Sequence, residues 1–298
     1  MHTWEQLTTE TSNINSQNID EVSTLKMLQI MNEEDKKVTN AVAKELNNIS
    51  HAVDIVSNSL KNDGRLFYVG AGSSGRLGVL DAAECPPTFG IASTKIQGII
   101  AGGERAVFTA VEGAEDDPNG ATKQLDAREI RPKDVVIGIA ASGVTPYVNG
   151  ALEYASIIGC KTIFLTCNVL NSTPTVDVLI RPVVGPEVIT GSTRLKAGTA
   201  TKLVLNMIST GSMVSLGKTY GNLMVDLKPT NKKLIDRSIR IFCSIAKITE
   251  VEAETHLKRA DNDLKVALVM KFKSCDKEAA SRLLSKNSLS VKAAILSK

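Results

Sequence analysis

Residues 65–76 read Arg65-Leu66-Phe67-Tyr68-Val69-Gly70-Ala71-Gly72-Ser73-Ser74-Gly75-Arg76. The apolar run Arg65–Val69 is short enough for a buried strand, and the G-x-G-x-x-G that follows it opens a helix. A strand feeding a helix through a glycine turn is the unit from which parallel α/β sheets are built. Alone, the glycine pattern says little about the ligand. A dinucleotide site also wants an acidic residue about 20 positions on, at the end of the second strand, to hold a ribose. Here the strand Ile96–Ile100 ends in Ala101-Gly102-Gly103, and Glu104 comes late. The loop instead offers two hydroxyls, Ser73 and Ser74, beside backbone N–H groups at a helix N-terminus, a place for an oxyanion or for sugar hydroxyls. The plainer alternative is a glycine turn needed only for tight packing.

Working outward, further strands are expected at Val135–Ile139, Thr162–Leu165 and Val178–Ile180, with helical segments at 74–84, 104–113, 118–130, 146–158 and 194–216. Before the first strand, Ile19, Val22, Leu25, Leu28 and Met31 recur every three residues. Val38, Val42, Leu46, Ile49, Val53, Val56 and Leu60 then mark a second amphipathic helix, stopped at Asn62-Asp63-Gly64. Asp226–Asp236 is polar with a proline and reads as a linker. Beyond it, Ile241, Ile245, Ile248, Leu264, Ala267, Leu268, Ala280, Leu283 and Leu284 suggest three or four short helices in a small bundle. The expected organisation is N-terminal helices over 1–60 packing on a sheet domain of 61–225, a linker at 226–236 and a helical domain at 237–298.

Composition narrows the function. The chain has 298 residues, 43% hydrophobic and 22% charged, with a net charge of +3, which excludes disordered, collagenous and coiled-coil readings. Its longest strongly apolar run, Val135–Ala141, is far below the ~20 residues of a membrane helix. Residues 1–10 are polar rather than signal-like, so a cytoplasmic protein without a membrane partner is expected. The five cysteines, Cys85, Cys160, Cys167, Cys243 and Cys275, have no C-x-x-C spacing and read as reduced core residues. Three scattered histidines, His2, His51 and His256, give little material for a metal cage or a Ser-His-Asp triad, so no metal is expected and acid–base work falls to carboxylates. His51 is in phase with polar positions and reads as a bystander. Residues 240–298 carry 12 basic against 7 acidic residues. Glu250, Glu252, Glu254, Asp261 and Asp263 interrupt that charge, which fits solvated helix faces better than a nucleic-acid footprint.

A second hydroxyl loop, Ala140-Ala141-Ser142-Gly143-Val144-Thr145-Pro146, follows the strand Val135–Ile139. Pro146 suits a first helical turn, and Ser142 and Thr145 can donate to a phosphate beside the helix N-terminus. Loops at the C-terminal ends of neighbouring strands converge on one crevice in a doubly wound sheet, and this pair indicates a phosphorylated sugar more than a nucleotide. Glu187, Ser192, Thr193, Arg194 and Lys196 precede a long apolar helix as a third anion-facing loop, or as a surface cap. Arg76 either steers a phosphate or covers the first helix.

The longer runs resemble one family. Val69–Phe89 (VGAGSSGRLGVLDAAECPPTF), Ile99–Glu104 (IIAGGE), Glu112–Asp117 (EGAEDD) and Gly185–Thr199 (GPEVITGSTRLKAGT) are similar to the N-acetylmuramic acid 6-phosphate etherases. The last stretch is like a signature these share with the glucokinase regulatory protein. The resemblance runs from about residue 3 to the C-terminus. It implies an α/β fold with a doubly wound, mostly parallel sheet of sugar isomerase (SIS) type, a small all-helical C-terminal domain, a homodimer and no cofactor. It also implies cleavage of the C3 lactyl ether of N-acetylmuramate 6-phosphate with water, giving N-acetylglucosamine 6-phosphate and D-lactate. An open-chain C1 aldehyde would acidify the C2 proton, so elimination across C2–C3 followed by water addition needs only two carboxyls. In the family pattern Glu84 is the proton donor and Glu115 the second catalytic carboxylate. Substrate contacts are expected from Gly72, Ser73, Ser74, Ser142, Gly143, Thr145, Glu187, Ser192 and Thr193.

The apolar neighbours Ala82, Ala83, Cys85, Pro86 and Pro87 would raise the Glu84 carboxyl by desolvation, which suits an acid. Glu115, among Glu112, Asp116 and Asp117, reads from its residues alone as an exposed acidic turn. A non-enzymatic sugar-phosphate sensor is the competing reading from another class, but such regulators resemble two tandem SIS domains. An aldose–ketose isomerase would leave one of the two glutamates unexplained.

Overall fold

The computed structural model describes residues 7–170, 172, 174–227 and 232–297. They fall into two compact units, one reaching Ala83 and resuming over Ser93–Ser209, the other comprising Glu84–Ala92 and the chain from Thr210 onward. The division runs through two helices rather than a linker. Of the expected linker 226–236, residues 228–231 lie outside the described residues, and from Lys232 the chain is already helical.

The first unit is built on β1 (Leu66–Gly70), β2 (Ile96–Ile100), β3 (Val135–Ile139), β4 (Lys161–Leu165) and β5 (Val178–Ile180). All five are parallel, in the order β2-β1-β3-β4-β5. Every residue of β1 and β3 is buried, as expected of a parallel sheet covered on both faces. Because the chain steps from β1 to β2 on one side and returns to β3 on the other, the winding reverses between β1 and β3. Ligands of such sheets lie outside the strand C-termini at that reversal. Gly70 and Ile139 are paired there, so both hydroxyl loops leave the sheet side by side.

Helices α1 (Thr24–Ala43) and α2 (Leu46–Lys61) precede the sheet, and α3 (Gly72–Phe89), α4 (Arg105–Phe108), α5 (Gly120–Asp126), α6 (Pro146–Ile158) and α7 (Lys196–Ser215) connect or follow its strands. Phe67, Val69, Val136 and Phe164 meet Ala121 and Leu125 of α5 and Tyr147, Val148, Ala151 and Leu152 of α6 in one core layer. Tyr68, pointing the other way from β1, donates its hydroxyl to Asp81 of α3 at 2.8 Å. Asp81 also accepts from Asn206 and Ser209 of α7 at 2.7 and 3.1 Å, which ties both helices to β1. Burial pushes its carboxyl up despite those three donors.

The structure corrects several expected boundaries. The break between the first two helices falls at Lys44-Glu45, so Val38 and Val42 belong to α1. The helix expected over 74–84 continues to Phe89 through Pro86 and Pro87, with Cys85 and Phe89, one turn apart, both buried. It stops where Gly90, at φ 65°, returns its N–H to the Pro86 carbonyl. The segments 104–113 and 118–130 are helical only over α4 and α5.

In the second unit a small hairpin, β6 (Thr219–Tyr220) with β7 (Leu223–Met224), precedes α8 (Lys232–Ala246), α9 (Glu250–Arg259), α10 (Leu264–Lys273), α11 (Lys277–Lys286) and α12 (Val291–Leu296). Among the described residues five helices thus stand where three or four were expected. Thr249, Asp263, Asp276 and Ser290 cap α9 to α12 with their side chains, and Thr249 forms a full capping box with Glu252. Phe242, Ala253, Leu257, Ala267, Leu268, Leu284 and Val291 make the core around α10.

The contact between α3 and β1 leaves no room for a side chain. A Cβ on Gly75 would lie 2.6 Å from Ile100 Cγ1 and 2.7 Å from the Gly70 carbonyl oxygen, and one on Gly70 would lie 2.7 Å from the Gly75 nitrogen. Gly75→Ala should destabilise the protein by about 1–3 kcal/mol through overpacking, read as a lower urea midpoint at unchanged slope. An unchanged midpoint would show that the helix start can yield.

Candidate active site

The crevice at the β1/β3 reversal encloses about 230 Å³. Its first wall is Ala71, Gly72, Ser73 and Ser74, its second Ala140, Ala141, Ser142, Thr145 and Pro146, and its third Gly191 and Thr193, while Glu10, Glu115 and Asp116 complete the lining. Gly72 enters α3 at φ 50°, where a side chain is strained. The N-termini of α3 and α6 both end at this crevice, so unpaired N–H groups and two dipole ends face one volume. Thr145 is the N-cap of α6 but makes no side-chain cap, leaving its hydroxyl for another acceptor. Within the described residues Ser73, Ser74 and Thr193 also make no side-chain hydrogen bond, and Ser142 Oγ accepts only a long one from the Val144 N–H at 3.4 Å. The arrangement suits a polyhydroxylated, anionic ligand.

Three pieces of chain reach the crevice because a buried hub ties them together. Asn168, following β4, accepts from the Thr9 N–H at 3.1 Å and donates to Thr9 Oγ1, the Ala141 carbonyl and the Ser142 carbonyl at 3.0, 3.0 and 3.3 Å. Gly191 in turn donates its N–H to the Thr9 carbonyl at 3.0 Å. The N-terminal segment is thereby laced between the second and third loops, and this carries Glu10 into the crevice. A Cβ on Gly191 would stand 2.9 Å from Glu10 Oε2. The chain before Ile19 has no hydrophobic period, so nothing in the sequence distinguished Glu10.

The third loop is held from inside. Glu187, fully buried, accepts the backbone N–H groups of Lys196 and Ala197 at 3.0 and 2.9 Å and so caps α7 from nine residues upstream. Burial pushes its carboxyl up, against those two hydrogen bonds. Lys196, 1% exposed, pairs its ammonium with Glu34 Oε2 of α1 at 2.6 Å. Glu34 also accepts from Lys37 at 2.5 Å and Asn15 at 2.8 Å. Burial works against the Glu34 charge, but these donors prevail and bring the group down to about 2 from its ordinary 4.5.

Of the expected site residues the crevice thus gathers Gly72, Ser73, Ser74, Ser142, Thr145, Thr193 and Glu115. Gly143, at φ 82°, lines the neighbouring cavity instead, and Ser192 is half-buried beside Thr193 without lining the crevice. Glu187 and Lys196 lie in the interior and act on the loop rather than on its open face. Glu115 sits in a single 3₁₀ turn, Ala114–Asp116, entered through Gly113 at φ 74°, and is exposed. Glu84 is exposed on α3 and is not among the described residues that line the crevice. The expected desolvation of Glu84 is therefore not found in the single chain. Ala82 and Cys85 are buried, whereas Glu84 between them is exposed. His51 is exposed on α2.

The five-stranded parallel sheet with hydroxyl loops at its switch point is of the SIS type. Residues 48–156 match the family described as "Glucokinase regulatory protein N-terminal SIS domain". Phosphoheptose isomerase from Neisseria gonorrhoeae shares the fold, with a TM-score of 0.50 at 19% identity over 65% of this chain and 100% of that one. Two curated proteins are far more similar. The N-acetylmuramic acid 6-phosphate etherase of Clostridium beijerinckii is 55% identical over 283 residues, 94% of this chain and 93% of its own. That of Pectobacterium atrosepticum is 51% identical over 291 residues, 97% and 96% of the two chains. The chain belongs to the N-acetylmuramic acid 6-phosphate etherase family.

The Glu34–Lys196 pair makes a testable contribution. Because the folded-state value of Glu34 lies below its unfolded one, its stabilisation of about 3 kcal/mol is present above pH 4.5 and lost as the pH falls toward 2. Glu34→Gln should flatten the acid limb of the stability profile and, by stranding the Lys196 ammonium, cost about 3–5 kcal/mol at pH 7. Glu34→Gln/Lys196→Met should cost less than Glu34→Gln alone. An unaltered acid limb would contradict this assignment.

Proposed function

We propose that this chain is an N-acetylmuramic acid 6-phosphate etherase, a carbon–oxygen lyase that uses water to release D-lactate and N-acetylglucosamine 6-phosphate. The observation that carries the reading is identity above 50% to etherases over nearly the whole chain, matched by a hydroxyl-lined crevice at the sheet's switch point. The second loop, with Ser142, Thr145 and the start of α6, would hold the phosphate. Gly72, Ser73, Ser74 and Thr193 would hold sugar hydroxyls, with Ser192 and Gly143 shaping the loops behind them. In the open-chain sugar the C1 aldehyde acidifies the C2 proton. One carboxylate removes it, a carboxylic acid protonates the departing lactate oxygen, and water adds at C3 of the unsaturated intermediate. Glu115 lines the crevice and is one of the two. Five free cysteines and a phosphorylated substrate suit a reducing cytoplasm. No helix among the described residues is long and apolar enough to cross a membrane.

Glu84 is the family's other carboxyl, and it is not among the described residues that line the crevice of its own chain. A homodimer in which Glu84 of a second copy completes each crevice reconciles the two-carboxyl reaction with a lining that holds Glu115 but not Glu84. The same pairing would bury Glu84 and supply the desolvation an acid needs.

Incubation with N-acetylmuramate 6-phosphate should release D-lactate, whereas a sugar-phosphate sensor would bind it without turnover. Glu84→Gln and Glu115→Gln should each lower that release by about 10²–10⁴-fold with substrate binding retained. Mixing and reannealing the two inactive variants should restore turnover, since each mixed dimer then holds one crevice with both carboxyls intact. Absence of rescue in verified mixed dimers would place both groups in one chain.

A second test concerns the phosphate. Thr145→Ala should weaken binding of the phosphorylated sugar by about 1.5–3 kcal/mol, with little effect on an unphosphorylated analogue. Equal weakening of both would remove the loop from phosphate binding.

A further inference from the structure

Among the described residues the crevice lining contains three carboxylates, Glu10, Glu115 and Asp116, and no lysine, arginine or histidine. The substrate of the proposed reaction carries two separate anions, a phosphate and the carboxylate of the lactyl ether. The hydroxyl loops and helix N-termini account for one of them. A second cavity, of about 410 Å³, shares Ser73 with the crevice and has the opposite character. Arg76 from the first turns of α3, Arg194 from the third loop and Lys202 from α7 line it, and no acidic residue among the described ones does. Arg76 spends its Nε on the Val107 carbonyl at 3.0 Å, which fixes the guanidinium and leaves its terminal nitrogens available. Arg194 and Lys202 make no hydrogen bond or ion pair within the described residues.

We propose that this basic cavity receives the lactyl carboxylate, which makes Arg194 and Lys202, with Arg76 behind them, the residues that separate the ether substrate from its lactate-free product. The proposal rests on the etherase reading and extends it to substrate choice. Three cations in one lining, with Asp81 acting on Lys202 from outside it, raise the local concentration of an anion and hold it once bound. A guanidinium offers paired donors matched to a flat carboxylate, whereas a tetrahedral phosphate is well served by backbone N–H groups and hydroxyls converging on a helix start. The lactyl carboxylate is joined to the C3 ether oxygen through one carbon, so a substrate reacting beside Ser73 and Glu115 can reach the adjoining cavity without leaving the crevice. Cleavage of the C3–O bond severs the carboxylate from the sugar. The remaining sugar phosphate then loses this set of contacts and is released.

The test compares three ligands that share the phosphate: N-acetylmuramate 6-phosphate, its lactyl amide and N-acetylglucosamine 6-phosphate. Arg194→Gln and Lys202→Gln, both at exposed positions, should each lower kcat/KM for the acid by about 10–100-fold, the range for losing a hydrogen bond to a charged group. They should leave kcat/KM for the amide and the inhibition constant of N-acetylglucosamine 6-phosphate within about two-fold. An equal loss for acid and amide, a weakened product or no change at all would each overturn the proposal, and a weakened product would assign the cavity to the phosphate. If the wild-type protein releases no D-lactate, the etherase reading fails on its own. Equilibrium binding of the same three ligands then decides the cavity, with a selective loss for the acid upholding it and any other pattern overturning it.

Discussion

The site depends on the close approach of α3 to β1. With hydrogens in place of side chains at Gly70 and Gly75, the first turn of the helix rests on the last residue of the strand, and its free N–H groups open over the C-terminal edge of the sheet. A methyl at either position would force the helix start outward and move Ser73 and Ser74 with it. The same packing continues along the helix. A Cβ on Gly78 would lie 2.8 Å from Tyr68 Cβ, and one on Gly98 of β2 would lie 2.6 Å from Val79 Cα. The helix therefore has one position on the sheet, and the crevice inherits that definition.

Around this contact the other loops are fixed by buried polar groups rather than by regular structure. Asn168 uses both ends of its amide to hold the N-terminal segment against the second loop. Glu187 substitutes for a local cap of α7, and the Glu34–Lys196 pair ties the start of that helix to α1. Such groups cost desolvation and are tolerated when every partner is present, which makes them sensitive to the loss of any one. They bring Glu10, Thr193 and Ser142 to one crevice from segments more than 50 residues apart.

Much of this architecture was legible in the sequence because it rests on local rules. All five strands of the parallel sheet were found within a residue at each end, since a buried parallel strand is a short apolar run between turn signals. Pro146 at the start of α6 and the glycine pattern ahead of α3 marked the two loops that line the crevice. What the sequence could not show depended on contacts between distant residues. Glu187 and Lys196 resembled an anion-facing cluster because a buried cap and a surface cap have the same composition. Helix α3 runs through Pro86 and Pro87, which a local rule reads as a stop. Glu84 looked desolvated because its neighbours in sequence are apolar, yet in a helix adjacent residues face different directions, and its carboxyl is exposed while Cys85 is buried. Glu10 lay in a stretch without any periodic signal.

The central chemical claim is that these carboxyls act on carbon acidity rather than on a water aimed directly at the ether. An aldehyde-activated C2–H needs only a carboxylate base within reach, and Glu115 lines the crevice where that carbon would lie. The decisive measurement is isotopic, with turnover run in deuterated water and in ¹⁸O-labelled water. Elimination followed by hydration predicts deuterium at C2 of the product sugar, ¹⁸O in its C3 hydroxyl and unlabelled D-lactate. A product that keeps its original C2 hydrogen, or D-lactate that carries the label, would contradict the account.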